Sequence, residues 1–298
     1  MDGIFNIDKE KGQTSHAVVQ AVRRLAKQQR VGHAGTLDPA AEGVLLVCLG
    51  KATKVVEYLM DSPKRYCAQV TLGVVTDSGD AEGQVLWRAP SVSVGRAEVE
   101  QAVQSFQGRI QQVPPMYSAL KQQGQPLYRL ARRGVEVPRE AREVEIYRID
   151  LLDWQSPVAT IDLVCSRGTY VRALATDLGE RLGTGAFLSH LVRLASGQFT
   201  LDDAVRLEQL GAAFAAGKAE DYLYPLDEAL LGLPAVVLGE ESERRVRNGQ
   251  SVTLALDGRD RGAAAGDLCR AYSFEGEIVA LLVFDAELGS WRPEKVLV

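Results

Sequence analysis

The stretch Gly32-His33-Ala34-Gly35-Thr36-Leu37-Asp38-Pro39-Ala40-Ala41-Glu42-Gly43-Val44-Leu45 organises the reading of this chain. Its three glycines and one proline argue against a helix and predict a shaped loop. The unbroken apolar run that follows, Val44-Leu45-Leu46-Val47-Cys48-Leu49, reads as a buried strand. A polar loop is therefore held at the mouth of a core strand, a position where chemistry tends to sit. An Asp before Pro commonly does no more than turn the chain, because its carboxylate accepts from nearby N–H groups. Here it has company: His33 lies five residues upstream, and the glycines permit close approach of the backbone.

The chain has 298 residues, enough for a large core and for two domains. No apolar run approaches the roughly 20 residues of a membrane span. The start, Met1-Asp2-Gly3-Ile4-Phe5-Asn6, lacks the charged and apolar regions of a signal peptide, so the expected location is the cytoplasm. The four cysteines, Cys48, Cys67, Cys165 and Cys269, form no Cys-x-x-Cys pair and read as small buried thiols of a reducing compartment. The net charge of −5 argues weakly against nucleic acid, but the charge is polarised. Arg109 to Arg148 holds eight basic residues against four acidic ones, while Gln198 to Glu243 is strongly acidic, so a basic face can coexist with an acidic total. Nucleotide hydrolysis, dinucleotide redox and serine hydrolysis have no motif here. The acidic turn Thr76 to Gly83 lacks the ligand spacing of a calcium loop, and no metal site is expected.

Along the chain, Ile4 to Ile7 reads as a short strand, and Thr14 or Ser15 caps a helix with Val18, Val19, Val22, Leu25 and Ala26 on one face. Its other face shows Arg23, Arg24, Lys27 and Arg30, a solvated face or an RNA contact. Lys51 to Met60 and Arg96 to Phe106 read as helices. Tyr66, Ala68, Val70 and Leu72 alternate along a strand. Leu127 to Arg133 reads as a short basic helix ended by Gly134, with Tyr117 and Tyr128 as aromatics that stack on bases or pack locally. Glu143 to Leu152 and Val158 to Cys165 form an antiparallel pair. Ser166 to Arg172 then leads into a helix with Val171, Leu174, Ala175, Leu178 and Leu182 inward. An Arg in a first helical turn opposes the macrodipole, which points to a carboxylate partner for Arg172. Leu191 to Ser196 reads as a strand, Leu201 to Leu210 as a short helix. The short strands beyond Leu233 suggest a small barrel.

Taken together, Gly32 to Pro39 with Gly43-Val44-Leu45, Lys64-Arg65-Tyr66, Thr76 to Gly83, Pro114 to Lys121, Cys165 to Arg172 and Leu191 to Leu194 resemble, in order and spacing, the blocks of the TruB family of tRNA pseudouridine synthases. The similarity covers about residues 3 to 210. It departs at Glu10, where the family has Pro after the Lys, which affects only a turn. The resemblance implies a mixed α+β fold: a pseudouridine-synthase domain over 1–230, with a central, largely antiparallel sheet flanked by helices and a basic RNA-gripping insertion at about 109–148. A small PUA-like β-barrel over 231–298 follows. It implies isomerisation of uridine-55 in the tRNA T-loop, with no cofactor or metal, by a monomer that needs the T-arm stem-loop and no obligate protein partner.

By the same matching Asp38 is the catalytic aspartate, Arg172 its counter-ion, and Tyr66 the ring that stacks on the flipped base. Tyr170 and Leu191 line the base pocket, and His33 assists flipping or shapes the loop. Lys54, Lys64, Asp80, Arg132 and Arg133 contact substrate. A carboxylate, with its ordinary pKa of about 3.9, is ionised at neutral pH and serves as nucleophile or base; burial favours its protonation, which Arg172 would prevent. The target base must leave its stack to be reached. A phosphotransferase would place its Asp before Gly-Thr and need a metal-binding acidic set. The related dyskerin type works inside a guide-RNA particle; the basic insertion favours the stand-alone tRNA form. A non-catalytic tRNA-binding or tRNA-folding protein is the alternative, and it would need neither Asp38 nor Arg172. Replacing Arg132 and Arg133 with Ala is expected to weaken tRNA binding and flatten its salt dependence. The log–log slope should fall by roughly one unit for each phosphate no longer neutralised, in binding titrations from low to physiological salt.

Overall fold

The computed structural model describes residues 1–298 except 119, 123, 132, 136 and 255–262, together with the side chains of Lys121, Gln122, Pro126 and Tyr128. The expected RNA contact Arg132, the ring of Tyr128 and most of the turn from Asp257 to Gly266 lie outside the described residues. The strands used below are β1 (Gly3–Lys9), β2 (Val31–His33), β3 (Glu42–Leu49), β4 (Lys64–Leu72), β5 (Gly108–Gln112), β6 (Arg142–Gln155), β7 (Val158–Cys165), β8 (Ala186–Ser196) and β9 (Val205–Arg206). The helices are α1 (Ser15–Ala26), α2 (Val56–Asp61), α3 (Arg96–Gln104), α4 (Leu127–Ala131), α5 (Val171–Arg181), α6 (Leu207–Ala215) and α7 (Glu240–Arg247). The main sheet runs β9-β1-β3-β8-β4-β7-β6-β5. It is antiparallel except where β1 meets β9 and β3 meets β8. This is the mixed fold with a largely antiparallel sheet that the sequence led us to expect.

Two strand patterns in the sequence reflect two kinds of cover. On β3, Leu45, Val47 and Leu49 join Phe5, Ile7 and the inward faces of α1, α3, α5 and α6 in one core. Val44, Leu46 and Cys48 point the other way and join Ile4, Leu59, Leu230, Leu281 and Leu297 in a second core. Both faces of β3 are covered, so its apolar run is unbroken. On β4 only Tyr66, Ala68, Val70 and Leu72 are buried among the alternating apolar positions, while Arg65 and Gln69 face solvent. One face is open there, and the residues alternate.

Local rules set the helices. Thr14, not Ser15, caps α1, accepting from the Ala17 N–H at 3.0 Å. Lys27 ends that helix in the left-handed region at φ 48°. The helix expected over Lys51 to Met60 forms as a 3₁₀ turn, Gly50–Val55, followed by α2. β8 starts at Ala186, well before the expected Leu191, because Ser189 and His190 occupy a bulge opposite β4 that keeps the ladder going through polar residues.

The C-terminal region carries short strands where a small barrel was expected, with Val252 bridged to Trp291. Among the described residues it is a four-stranded sheet in linear order, β10 (Ala235–Val237), β11 (Leu268–Tyr272), β12 (Ile278–Asp285) and β13 (Ser290–Val296), plus α7. The strand-rich pattern hides α7, because seven of its eight residues are polar and only Val246 is buried. Its acidic first turn and basic last turn suit the macrodipole instead. The sheet has its own core of Leu238, Val246, Cys269, Ala271 and Trp291. Leu281 and Leu297 join the core on the Val44, Leu46 and Cys48 side of β3, and a clasp closes the contact: Lys54 Nζ donates to the Val296 carbonyl at 2.5 Å, and Lys295 Nζ to the Lys54 carbonyl at 2.8 Å. No helix among the described residues is long and apolar enough to cross a membrane. Leu281→Ala is expected to cost about 2–5 kcal/mol of stability in urea unfolding; a cost below about 1 kcal/mol would mean that this docking contact is not made in solution.

Candidate active site

The opening stretch is a hairpin: β2 pairs antiparallel with β3, His33 opposite Val47, and the loop between them is pinned on all sides. The Ala34 N–H donates to the Leu46 carbonyl at 2.9 Å and the Gly12 N–H to the Pro39 carbonyl at 2.8 Å. Ser15 Oγ accepts from the Leu37 N–H at 2.8 Å and donates to the Leu37 carbonyl at 2.9 Å. Lys9 Nζ donates to the carbonyls of Glu10, Gln13 and Pro39 at 3.0, 2.8 and 3.4 Å. Arg193 donates from Nη2 to the Gly35 carbonyl at 3.3 Å and from Nε to the Val44 carbonyl at 2.6 Å. The Asp38 carbonyl accepts from the Ala41 N–H at 3.1 Å, so its backbone makes the turn and its carboxylate is left for another task.

That task is a pairing with Arg172. The Asp38 Oδ2 lies 2.9 Å from Arg172 Nε, and the Asp80 Oδ2 3.6 Å from Arg172 Nη1. Arg172 also donates to the Ser78 carbonyl at 3.1 Å and the Tyr117 carbonyl at 2.6 Å. It is 4% exposed, so its charge survives burial only through these acceptors. The carboxylate partner inferred from the macrodipole is present twice over. Gln112 at the end of β5 holds the backbone of Tyr170, just ahead of Arg172: its amide donates to the Tyr170 carbonyl at 3.0 Å and accepts from the Tyr170 N–H at 2.7 Å. Asp80 is oriented by Ser78 Oγ, which donates to it at 2.5 Å, and by the Glu82 N–H at 3.1 Å.

Asp38 faces two recesses. One, of about 260 Å³, is lined by Tyr66, Tyr170, Leu191, Arg193, Lys64 and Arg172. The other, of about 730 Å³, is lined by His33, His16, Asp80, Tyr117 and again Arg172. Burial pushes the Asp38 carboxyl above its ordinary pKa; Arg172 opposes this and Asp80 reinforces it. The pairing with Arg172 is as expected, but loss of hydration outweighs it. Burial, with the charge of Arg193 second, lowers the pKa of His33 and keeps the imidazole neutral at pH 7. Burial raises the phenols of Tyr66 and Tyr170.

The other expected substrate contacts are placed differently. Lys64 is buried, and its ammonium donates to the carbonyls of Leu59, Met60 and Ser62 at the end of α2, at 2.8, 2.8 and 2.6 Å. Burial takes its pKa down to about 8. Lys54 instead clasps the C-terminal sheet through the Val296 carbonyl. Arg133 is exposed in the turn after α4. Arg193, Lys9 and Gln112 were not singled out from the sequence, and Ser15 only as a helix cap. Arg193 alone carried a signal, as the one cation in the apolar run Leu191 to Ala195.

A family model described as "TruB family pseudouridylate synthase (N terminal domain)" matches residues 23–171, and one described as "tRNA pseudouridylate synthase B C-terminal domain" matches residues 172–235. The chain belongs to the TruB family. Its class is therefore that of the pseudouridine synthases, which are isomerases. Tyr66, Asp38 and Tyr170 fall in the first match and Arg172 and Leu191 in the second, so the two recesses straddle both. The tRNA pseudouridine synthase B of Dehalococcoides mccartyi strain BAV1 is 46% identical over 298 residues, covering 100% of this chain and 97% of the relative. That of Pseudomonas aeruginosa strain UCBPP-PA14 is 47% identical over 255 residues, 85% of this chain and 84% of the relative. Among solved structures, a Cbf5-Nop10-Gar1 complex aligns with TM-score 0.76 at 27% identity, and an H/ACA RNP bound to a substrate RNA containing 2′-deoxyuridine with TM-score 0.75 at 25%. Each alignment covers 99% of this chain and 85% of the other.

Two glycines of the hairpin test how tightly the loop is held. Gly43 has φ +95°, and a Cβ there would lie 2.3 Å from the Arg193 carbonyl, whereas a Cβ on Gly32 meets nothing within 4 Å. Gly43→Ala is expected to lose more than about 1 kcal/mol of stability and Gly32→Ala less than about 1, compared by thermal unfolding.

Proposed function

We propose that this enzyme isomerises uridine-55 in the T-loop of tRNA to pseudouridine, with Asp38 as the catalytic carboxylate. The observation that carries this reading is the Asp38–Arg172 pair, 2.9 Å apart, placed between a large open recess and a smaller one lined by Tyr66, Tyr170 and Leu191. The smaller recess has the size and the aromatic lining for a single base. A uridine inside a folded loop reaches it only by leaving its stack. Tyr66 then stacks on the extruded ring, and Tyr170 and Leu191 close around it. His33, neutral and beside Thr36 and Leu37 in the larger recess, takes the space that the base vacates.

The bond from the sugar C1′ to N1 breaks, the base turns, and C5 joins C1′; the C5 proton leaves and N1 gains one. Asp38 assists as nucleophile or as base, and either role needs the ionised carboxylate. Arg172 keeps that form accessible in a recess that otherwise favours the acid. Asp80 fixes Arg172. The relatives' name, tRNA pseudouridine synthase B, supports tRNA as the substrate. The basic insertion at 109–148 grips the T-arm, with Arg133 as an exposed contact. The sheet of β10 to β13 belongs to a second, RNA-binding domain over 231–298. The enzyme works in the cytoplasm as a monomer without an obligate protein partner.

The test is tritium release from tRNA labelled at uridine C5, with no added metal or nucleotide. Wild type is expected to release the label, and Asp38→Asn to be slower by at least about 10³-fold while binding tRNA within a few-fold of wild type. Release by Asp38→Asn at the wild-type rate would remove Asp38 from the chemistry. The pH dependence follows from the raised carboxyl pKa. An acid whose pKa is raised ionises later as pH rises, so activity falls as pH drops through a value above that of an ordinary aspartate. Arg172→Gln removes the largest opposing effect and is expected to move that acid limb to still higher pH.

A further inference from the structure

One buried charge at the site has no counter-ion. Arg193 is 2% exposed, and among the described residues no carboxylate lies within ion-pair distance of it, in contrast to Arg172. The two buried lysines nearby, Lys9 and Lys64, have pKa values lowered to about 8, so they can shed their charge. An arginine cannot. Burying an unpaired guanidinium is costly unless every donor is engaged. The Arg193 donors reach the Val44 carbonyl at 2.6 Å and the Gly35 carbonyl at 3.3 Å, and its charge opposes the rise that burial causes in the neighbouring Tyr66 phenol.

Its register explains why it lies beside all three residues. In the sheet Arg193 stands between Gly43 on β3 and Tyr66 on β4, directly opposite each. Gly43 has no side chain, and a Cβ there would strike the Arg193 backbone. The guanidinium thus lies under the loop that carries Asp38 and beside the ring of Tyr66, and it lines the smaller recess with both. Burial is the main cause of the lowered pKa of His33, Lys9 and Lys64, and the charge of Arg193 adds to it in each. Local backbone carbonyls account for where the side chain is held. They do not require a permanent charge facing a recess.

We propose that Arg193 is a positioning residue of the uridine pocket, holding Tyr66 against the Asp38 loop and stabilising the negative charge that gathers on the uracil ring when its glycosidic bond breaks. This rests on the isomerase reading of the site. The electron pair of the C1′–N1 bond leaves with N1, so the free ring is a uracil anion with its charge spread over N1, O2 and O4. The same ring later supplies a pair from C5 to C1′, C5 gives up its proton and N1 takes one, so the overall change is an isomerisation. A fixed cation beside the pocket lowers the barrier to the first of these steps, because low dielectric strengthens its effect and it needs no reorganisation.

Single-turnover rates of the full-length Arg193→Met and Arg193→Lys variants test this, with tRNA carrying either uridine or 5-fluorouridine at the target position. Fluorine makes the leaving uracil more acidic, so cleavage depends less on an external cation. Consumption of the N1-linked nucleoside is the readout, and thermal unfolding and tRNA affinity are measured alongside. Arg193→Met is expected to slow the uridine reaction by about 10²-fold or more with affinity within about threefold of wild type, and Arg193→Lys, which keeps a charge, to lose less. On 5-fluorouridine the loss in Arg193→Met should shrink at least about tenfold. Equal losses on both substrates, or a folded Arg193→Met at wild-type rate, would overturn the proposal. Should Arg193→Met not fold, Arg193→Lys is combined with Tyr66→Phe. Residues that act as a unit give non-additive losses, so the double variant should be little slower than the slower single one; independent, multiplicative losses overturn the proposal. Failure of wild type to convert uridine would instead strike the isomerase reading itself.

Discussion

The site depends on one buried guanidinium. Arg172 sits in the first turn of α5, where the macrodipole disfavours a cation, and it is nearly inaccessible to water. It persists because stretches far apart in sequence meet it: Asp38, Ser78 with Asp80, and Tyr117, each within hydrogen-bond or ion-pair reach of α5. None of these partners is local. Each is delivered by a different part of the fold: the β2–β3 hairpin, the acidic turn after β4, and the segment after β5. Removing any one would leave charge or donors unsatisfied, so the guanidinium couples the loop geometry to the integrity of the whole sheet.

The balance on Asp38 follows from the same arrangement. A guanidinium at 2.9 Å favours the carboxylate, yet the recess removes so much hydration that the acid form gains overall, and Asp80 adds to that gain. A fully solvated aspartate would be a weak participant in chemistry, and a fully neutralised one would be none. The site holds the carboxyl between these limits by placing it at the mouth of a recess, its side chain 41% exposed, against a cation that is itself completely held.

What was legible in the sequence was whatever depends on neighbours along the chain. The glycine loop before an apolar run, the alternation of β4 and the stripe of α1 are local patterns, and each maps onto the structure. The macrodipole argument at Arg172 was local as well, and it correctly demanded a carboxylate. Long-range geometry was not legible. Lys64 and Lys54 were expected to contact substrate, and which carbonyls also come within reach of each lysine is decided by where α2 ends and where the C-terminal sheet packs. Ser15 looked like a cap and instead clamps Leu37, because Thr14 already does the capping. α7 has one buried residue and so no periodicity to read. Arg193 was different: a lone cation within Leu191 to Ala195 is a visible anomaly, and buried charge in a strand asks for a reason.

The C-terminal sheet bears on the loop through β3. That strand carries the loop at one end and is buried on both faces, with Leu281 and Leu297 packed against the same side as Val44 and Leu46. Val44 is also the residue whose carbonyl holds Arg193, and Gly43 before it lies against the Arg193 backbone. A shift of β3 by a fraction of an ångström would therefore be felt by Arg193, which holds the Val44 and Gly35 carbonyls together. Close-packed interiors transmit such strain rather than absorb it. The C-terminal sheet thus adds to the core that covers one face of the strand under the loop.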